Sequence, residues 1–248
     1  MKEEEIERMS KFEESNWWFA GRRRIIINML QKQLGTQSNL RILDVGCGSG
    51  YTTLALTKFG SVYGTDYSLS ALKHCNESGL DKVVKSNSYY LPFRSETFDV
   101  ITILDVLEHI DDDIRVLKEL KRVLKKDGII LIAVPAFQFL WSEHDVALSH
   151  FRRYNHKSLS TVIIRSGFYR IRLTYFISFL FPILVIYKII DKPRNSNPKS
   201  TLIRLPNFIN KLLRQVLFLE DKILQKTNLP FGTSLICLAK INSNESFF

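Results

Sequence analysis

The sequence predicts an α/β fold: a doubly wound, mostly parallel sheet of seven strands, with helices before the first strand and a helical insertion before the last. Three observations carry that expectation. Short apolar runs alternate with segments of helical periodicity, the pattern of strand–helix–strand units joined by right-handed crossovers. The first run, LRILDV, rises directly into glycines 46, 48 and 50, a strand, tight turn and helix where such a sheet binds ligands. The second run ends in YGTD and puts Asp66 at the carboxyl end of a strand.

The elements follow in order. Residues 1–34 read as helical, with Ile25, Ile26, Met29, Leu30 and Leu34 at helical spacing and Gly35 as the stop. Strands are expected at 40–45, 61–65, more weakly at 82–85, at 98–104 (FDVITIL) and at 128–134 (GIILIAV). Helices are expected at 51–59, from near Ser68, and after the fourth strand through Leu124. A polar and aromatic loop at 135–154 precedes a helix from about His156 to Ser166, capped by Asn155 and ended at Gly167. Residues 168–174 alternate as a strand and SLICLAKI at 234–241 is the last one. The chain therefore divides into an N-terminal helical part (1–39), an α/β core (40–174), a basic, apolar helical insertion (175–231) and a closing strand with tail (232–248).

With 45% hydrophobic and 24% charged residues in 248, collagen-like, disordered and disulfide-scaffold proteins are excluded. A chain of this size buries a full core without a metal or disulfide staple. Cys47, Cys75 and Cys237 are odd in number and form no CxxC pair, which points to a reducing compartment. The glutamate-rich start has no apolar segment of a secretory signal, so the protein is expected to begin where the sequence does. The net charge of +10 suggests an anionic partner, and its placement is regional. Residues 151–226 hold fifteen Lys and Arg against three acidic residues, an excess of +12, and the rest of the chain sums to −2.

In LDVGCGSG (43–50), glycines let the backbone approach a ligand. The dinucleotide fingerprint wants Gly or Ala at its sixth position, where this chain has Tyr51, and Asp44 precedes the glycines by two residues. Asp66 is placed to accept two ribose hydroxyls. With the LPF, FDVI and VLEHI segments, these residues resemble the class I S-adenosylmethionine (SAM) dependent methyltransferases of small-molecule type, a Rossmann-like fold, over about three quarters of the chain. The resemblance implies SAM as cofactor. Asp44 and the turn Gly46, Gly48 and Gly50 would lie near its methionine, Asp66 on the ribose and Tyr67 on the adenine. Asn87 and Ser88 stand where the family has Asp-Ala at the adenine amine, and Leu104 and Asp105 would line the pocket. Trp17, Trp18 and Phe19 look like the family's lid, with Arg22 or Arg23 on the methionine carboxylate; packing of a helix onto the sheet is the alternative for both tryptophans.

No (D/N)PP(Y/F) tetrad follows the fourth strand, which argues against exocyclic amines of DNA bases, and no cysteine follows it, which argues against cytosine C5 chemistry. No metal cluster emerges, since His144, His150 and His156 are spaced six apart. Loops at strand ends carry function, and the loop 135–154 is the richest, resembling a segment of methyltransferases found with glycan and lipid-linked saccharide enzymes. Its candidates are His144 or His150 as general base, with Asp145 beside them, and Arg152, Arg153 and Tyr154 for an anionic acceptor. The alternative has the histidines orienting the loop and the arginines capping or pairing with the acidic N-terminal helix. Glu108 and His109 face the pocket or open the next helix.

LTYFISFLFPILVIY (173–187) lacks charge but is short of a bilayer span and contains Pro182. Beyond the turn-rich KPRNSNPKS, an apolar stripe from Leu202 to Leu224 carries Arg204, Lys211, Arg214 and Lys222, the composition of an interfacial helix or of a helical subdomain packed on its own core or a dimer partner. The expected function is a SAM-dependent methyltransferase acting on a small-molecule, glycan or lipid-linked acceptor at oxygen, in the cytoplasm or at an anionic inner membrane face. A tRNA or rRNA methyltransferase and a non-catalytic SAM-binding protein are the alternatives, nucleic acid being disfavoured because the positive charges are interleaved with long aliphatic runs.

Overall fold

A computed structural model describes residues 12–13, 16–190 and 205–242. Calls on 1–11, 14–15, 191–204 and 243–248, including the KPRNSNPKS loop and Leu202, lie outside them. The elements are α1 (Trp17–Leu34), β1 (Leu40–Val45), α2 (Tyr51–Leu56), β2 (Gly60–Asp66), α3 (Leu69–Glu77), β3 (Val83–Lys85), β4 (Phe98–Leu104) and α4 (Asp113–Val123). They continue as β5 (Leu124–Pro135), α5 (Glu143–Ala147), α6 (His156–Arg165), β6 (Phe168–Phe176), α7 (Phe181–Ile190), α8 (Asn207–Leu224) and β7 (Ser234–Ile241).

The seven strands form one sheet in the order β3-β2-β1-β4-β5-β7-β6, with β7 antiparallel to both neighbours and the rest parallel. This is the expected doubly wound sheet. Strands buried on both faces read as continuous apolar runs, and successive residues supply opposite cores. Leu43, Ile101 and Ile132 pack on the side of α4 and α6, while Ile42, Val100 and Leu131 pack on the side of α1 and α8. The strand order reverses between β1 and β4, the crevice where this architecture binds ligands.

Local chemistry sets the boundaries. Ser68 accepts from Ala71 N at 3.3 Å to start α3, and Asn155 from Ser158 N at 2.8 Å to start α6. The helix expected to run on from the fourth strand is divided: Leu107–His109 is a separate turn, and α4 begins at Asp113 after Asp112 caps it. Glu108 and His109 therefore stay at the carboxyl edge of the sheet.

The charge-free run at 173–187 is also divided. Its first residues complete β6, and Pro182 sits in the first turn of α7, where its missing N–H costs nothing. No helix among the described residues is long and apolar enough to cross a membrane. The second half of the insertion packs on the protein's own core. Buried Leu217 of α8 lies against Gly21 of α1, where a Cβ would meet its Cδ1 at 2.2 Å. Asp221 accepts from Arg24 and Asn28 of α1, and buried Glu220 accepts the backbone N–H groups of Ile177, Ser178 and Phe179 as the chain leaves β6. The expected single stripe is thus split between core residues Leu213, Val216, Leu217 and Leu224 and outward Phe208 and Leu212.

Candidate active site

The carboxyl ends of β1, β2 and β4 converge on the glycine turn. Thr65 O accepts from Gly46 N at 2.7 Å and Cys47 N at 3.0 Å, which pins the turn to β2. Gly46 has φ +74, and a Cβ there would lie 2.2 Å from Val106. Gly48, at φ +54, has nothing within 4 Å of such a Cβ, so its backbone opens onto free space. Gly50 is the left-handed cap of α2. Asp66 fixes the turn from the side, accepting from Gly48 N at 3.0 Å and Ser68 N at 2.9 Å.

Asp44 is buried and accepts from Thr53 Oγ1 of α2 and Thr102 Oγ1 of β4, each at 2.6 Å. Burial pushes its carboxyl up to about 6 against those two bonds, and the charge of Asp66 adds to the rise. Glu13 bonds Ser49 of the glycine turn. Burial pushes Glu13 up to about 7, opposed by Arg23 and reinforced by Asp44 and Asp105. Asp105, at φ +55 just beyond β4, completes a set of four carboxylates around the turn. Of these, Asp105 was expected at the pocket, whereas Glu13, Thr53 and Thr102 were not picked out in the sequence, because Glu13 lies in an unpatterned acidic stretch and the threonines in ordinary helix and strand positions.

The remaining predicted cofactor residues are less uniformly placed. Tyr67 stands exposed at the end of β2, with Lys85 Nζ 5.4 Å from its ring centre. Asn87 Oδ1, expected to face an adenine amine, accepts from Tyr89 N at 3.0 Å and so closes a local turn, while Ser88 is half-buried beside it. Leu104 packs against the core on the α1 side. Trp17 and Trp18 meet edge to face at 5.4 Å and pack on that same core, with Trp17 N held by Asn210 Oδ1 of α8 at 2.8 Å. They are helix-packing residues in this structure. Arg22 is buried, pairs with Asp105, donates to Ser234 Oγ at 2.7 Å and lies 4.8 Å from the Phe176 ring centre.

The loop after β5 corrects the acceptor-gripping expectation for its arginines. Arg153 makes two bonds to Asp145, at 2.7 and 2.9 Å, and a third to Ala136 O. Arg152 is held by Asp113 at 3.1 Å and Asp111 O at 2.8 Å, and buried Tyr154 donates to Asp113 at 2.8 Å. All three cations or hydroxyls are engaged inside the protein. Buried Asp145 is the hub: besides Arg153 it accepts from Ser142 N at 2.8 Å and contacts His150 Nδ1 at 2.9 Å. Burial alone would raise its carboxyl, but His150 and Arg153 overcome that and hold it well below the usual range. His144 is half-buried on α5.

Glu108 and His109, left open in the sequence between the pocket and a helix start, lie on this side. The His109 and His150 rings meet edge to face at 4.5 Å, and Trp141 lies 6.5 Å from His150. Glu108 is 1% exposed, its Oε2 has no hydrogen-bond partner, and burial raises its carboxyl well above the ordinary value. Burial also lowers His109, to about 3, and His150 contributes to that. One donor atom each from Glu108, His109 and His150 lies within 4.8 Å of the others, a grouping that the sequence did not suggest. Spacing in sequence hid it because the ligating types come from two different loops.

Residues 43–132 match the family described as a methyltransferase domain. A demethylmenaquinone methyltransferase of Staphylococcus aureus is 32% identical over 138 residues, covering 52% of this chain and 54% of that protein. The chain spans about half the length of the curated relatives it matches. Among solved structures, a SAM dependent methyltransferase from Archaeoglobus fulgidus superposes with a TM-score of 0.56 at 20% identity, over 88% of this chain and 94% of that one. A [4+2]-cyclase, SpnF, superposes with a TM-score of 0.57 at 17% identity, over 88% and 80%. At those identities the likeness is one of fold, and the same fold carries different chemistries.

Replacing Asp145 by Asn leaves Arg153 nearly buried without its counter-charge, a change that costs about 3–5 kcal/mol. We expect the thermal midpoint, followed by circular dichroism, to fall by roughly 10 °C at neutral pH. The folded carboxyl titrates below its unfolded value, so its contribution is present above the unfolded pKa and is lost as pH falls through the folded one. The gap between parent and variant should therefore be constant above about pH 5 and shrink below about pH 4. A gap that widens on acidification contradicts this.

Proposed function

We infer that this chain, which carries a class I SAM-dependent methyltransferase domain, transfers the methyl group of SAM to an oxygen of a small-molecule, glycan or lipid-linked acceptor. The observation that carries the reading is the convergence of Glu13, Asp44, Asp66 and Asp105 on an open glycine turn at the strand-order reversal. A cationic ligand suits that field. SAM brings a sulfonium and an ammonium, and its chemistry is an activated methyl group. The fit is favourable residue by residue: the backbone of Gly48 is accessible, and Asp66, an acceptor-only group with lone pairs beyond the two it uses, can take ribose hydroxyls.

Most of the acceleration of a methyl transfer comes from holding nucleophile and methyl in line, an effect of roughly 7–11 kcal/mol. Arg22 pairs with Asp105 just beyond β4 and donates to Ser234 of β7, which holds the end of β4 to that strand. On the acceptor side, Asp145 orients His150 through Nδ1, which leaves Nε2 to receive the acceptor's proton, a contribution of about 10²- to 10⁴-fold. The acceptor in the name of the Staphylococcus aureus relative is a small molecule rather than a polymer, which supports the small-acceptor reading. Arg152 and Arg153, being internally paired, offer little to an RNA backbone.

One surface favours a second, compatible reading, action at an anionic membrane face. Phe208, Leu212 and Leu219 are each more than half exposed on α8, and exposed Lys211 and Lys222 share their helical face. Ile183 and Ile186 of α7 are also more than half exposed. Apolar side chains with flanking lysines suit shallow insertion among anionic headgroups.

Two experiments test these readings. Incubation with methyl-labelled SAM and host lysate, then separation into lipid, glycan, RNA and small-molecule fractions, should place label in a non-RNA fraction. His150→Gln should lower that transfer by at least about 100-fold with SAM affinity retained. Label in RNA, or SAM bound with no transfer to any fraction, would count against the reading. For the membrane face, the protein should sediment with anionic vesicles at low salt, and Leu212→Glu with Leu219→Glu should abolish this; recovery of the parent in the supernatant at low salt removes the idea.

A further inference from the structure

We propose that Glu108, His109 and His150 form a binding site for one divalent transition-metal ion, with zinc the best match to the ligand chemistry. The three donor atoms lie within 4.8 Å of one another, close enough for one ion to draw them together with small side-chain adjustments. The second observation is independent of that distance. Glu108 is almost completely buried and one of its carboxylate oxygens has no partner, a condition that is costly unless something satisfies it.

The neighbouring cations do not supply that partner. Arg153 spends its guanidinium on Asp145 and Ala136 O, and Arg22 on Asp105 and Ser234. The histidines are suited to the task. His150 is oriented by Asp145 through Nδ1, so Nε2 is the nitrogen left for coordination, the carboxylate–histidine support found behind metal-bound imidazoles. The two rings meet edge to face at 4.5 Å, and each offers a ring nitrogen within 4.8 Å of the Glu108 carboxylate. Two nitrogens and one carboxylate select zinc, cobalt or iron(II) over magnesium or calcium, which take oxygen ligands. Three protein ligands leave a coordination position open.

The site lies in the turn immediately after β4, three residues beyond Asp105. With an ion on it, Nε2 of His150 is no longer free to act as the base of the proposed transfer; the ion would instead lower the pKa of an acceptor hydroxyl, a role that rests on the methyl-transfer reading. The binding itself does not.

The test uses the full chain stripped with a chelator and dialysed, with no SAM present. Cobalt(II) is titrated while visible d–d absorption is recorded, and zinc affinity is measured by competition with a chromogenic chelator. One equivalent should bind, and zinc should displace the cobalt bands. Glu108→Gln and His109→Gln should each weaken zinc by at least about 100-fold, whereas His74→Gln, on α3 and outside the cluster, should not. Circular dichroism identifies folded variants, and either folded variant suffices for the comparison. The proposal is overturned if the folded parent takes up no stoichiometric cobalt or zinc, if magnesium binds as tightly as zinc, or if both folded variants bind zinc like the parent. Methyl transfer is assayed separately: metal uptake without transfer supports the site and sinks the functional reading, and transfer that survives chelation in a protein that takes up no metal does the reverse.

Discussion

Asp44 is the constraint on which the carboxyl edge of the sheet depends. Its two oxygens tie the end of β1 to Thr102 across the strand-order reversal and to Thr53 at the start of α2. Those bonds set where the glycine turn leaves the sheet, and Asp66 then fixes the turn from β2. The arrangement holds a carboxylate in the core, and burial raises its pKa accordingly. Glu13 and Asp105 lie nearby, and although Arg22 pairs with Asp105 and Arg23 acts on Glu13, the four carboxylates outnumber the two arginines, so the crevice favours a cation.

The loop after β5 is organised by a different hub. Asp145 anchors Arg153, His150 and the first turn of α5 at once, which cross-links the loop after β5 to itself and to α5. Tyr154 and Arg152 do the same through Asp113 of α4. The two hubs meet in the Leu107–His109 turn, whose Glu108 is influenced by Asp105 and Arg22 on one side and Arg153 on the other.

How much of this was legible in the sequence depends on the range of the interaction. Asp44, Gly46, Gly48 and Asp66 could be read because strand, turn and helix are consecutive and each needs a particular residue type. The caps Ser68 and Asn155 were legible for the same reason. Arg152 and Arg153 were misassigned because their partners, Asp113 and Asp145, are distinguishable only once the chain folds back. The regional charge excess misled similarly: Arg172, for example, is spent on the carbonyls of Leu224 and Thr227 and on Asn228. The apolar stripe of α8 was visible, but not its division between the Gly21 seam and solvent, since both sides carry leucine. Glu108 and His109 looked like the opening of a helix, and only the separate turn keeps them at the sheet's edge.

The central claim is that an acidic crevice, dependent on ionised Asp44 and Glu13, holds a cationic cofactor. Calorimetric titration of SAM from pH 7.5 down to about pH 5 tests it most directly, because burial has raised these groups to about 6 and about 7. Both are charged at the upper end and protonated progressively towards the lower, so SAM affinity should fall on acidification, and that of the uncharged thioether S-adenosylhomocysteine should fall less. SAM affinity that stays constant or strengthens as the pH drops would contradict the account.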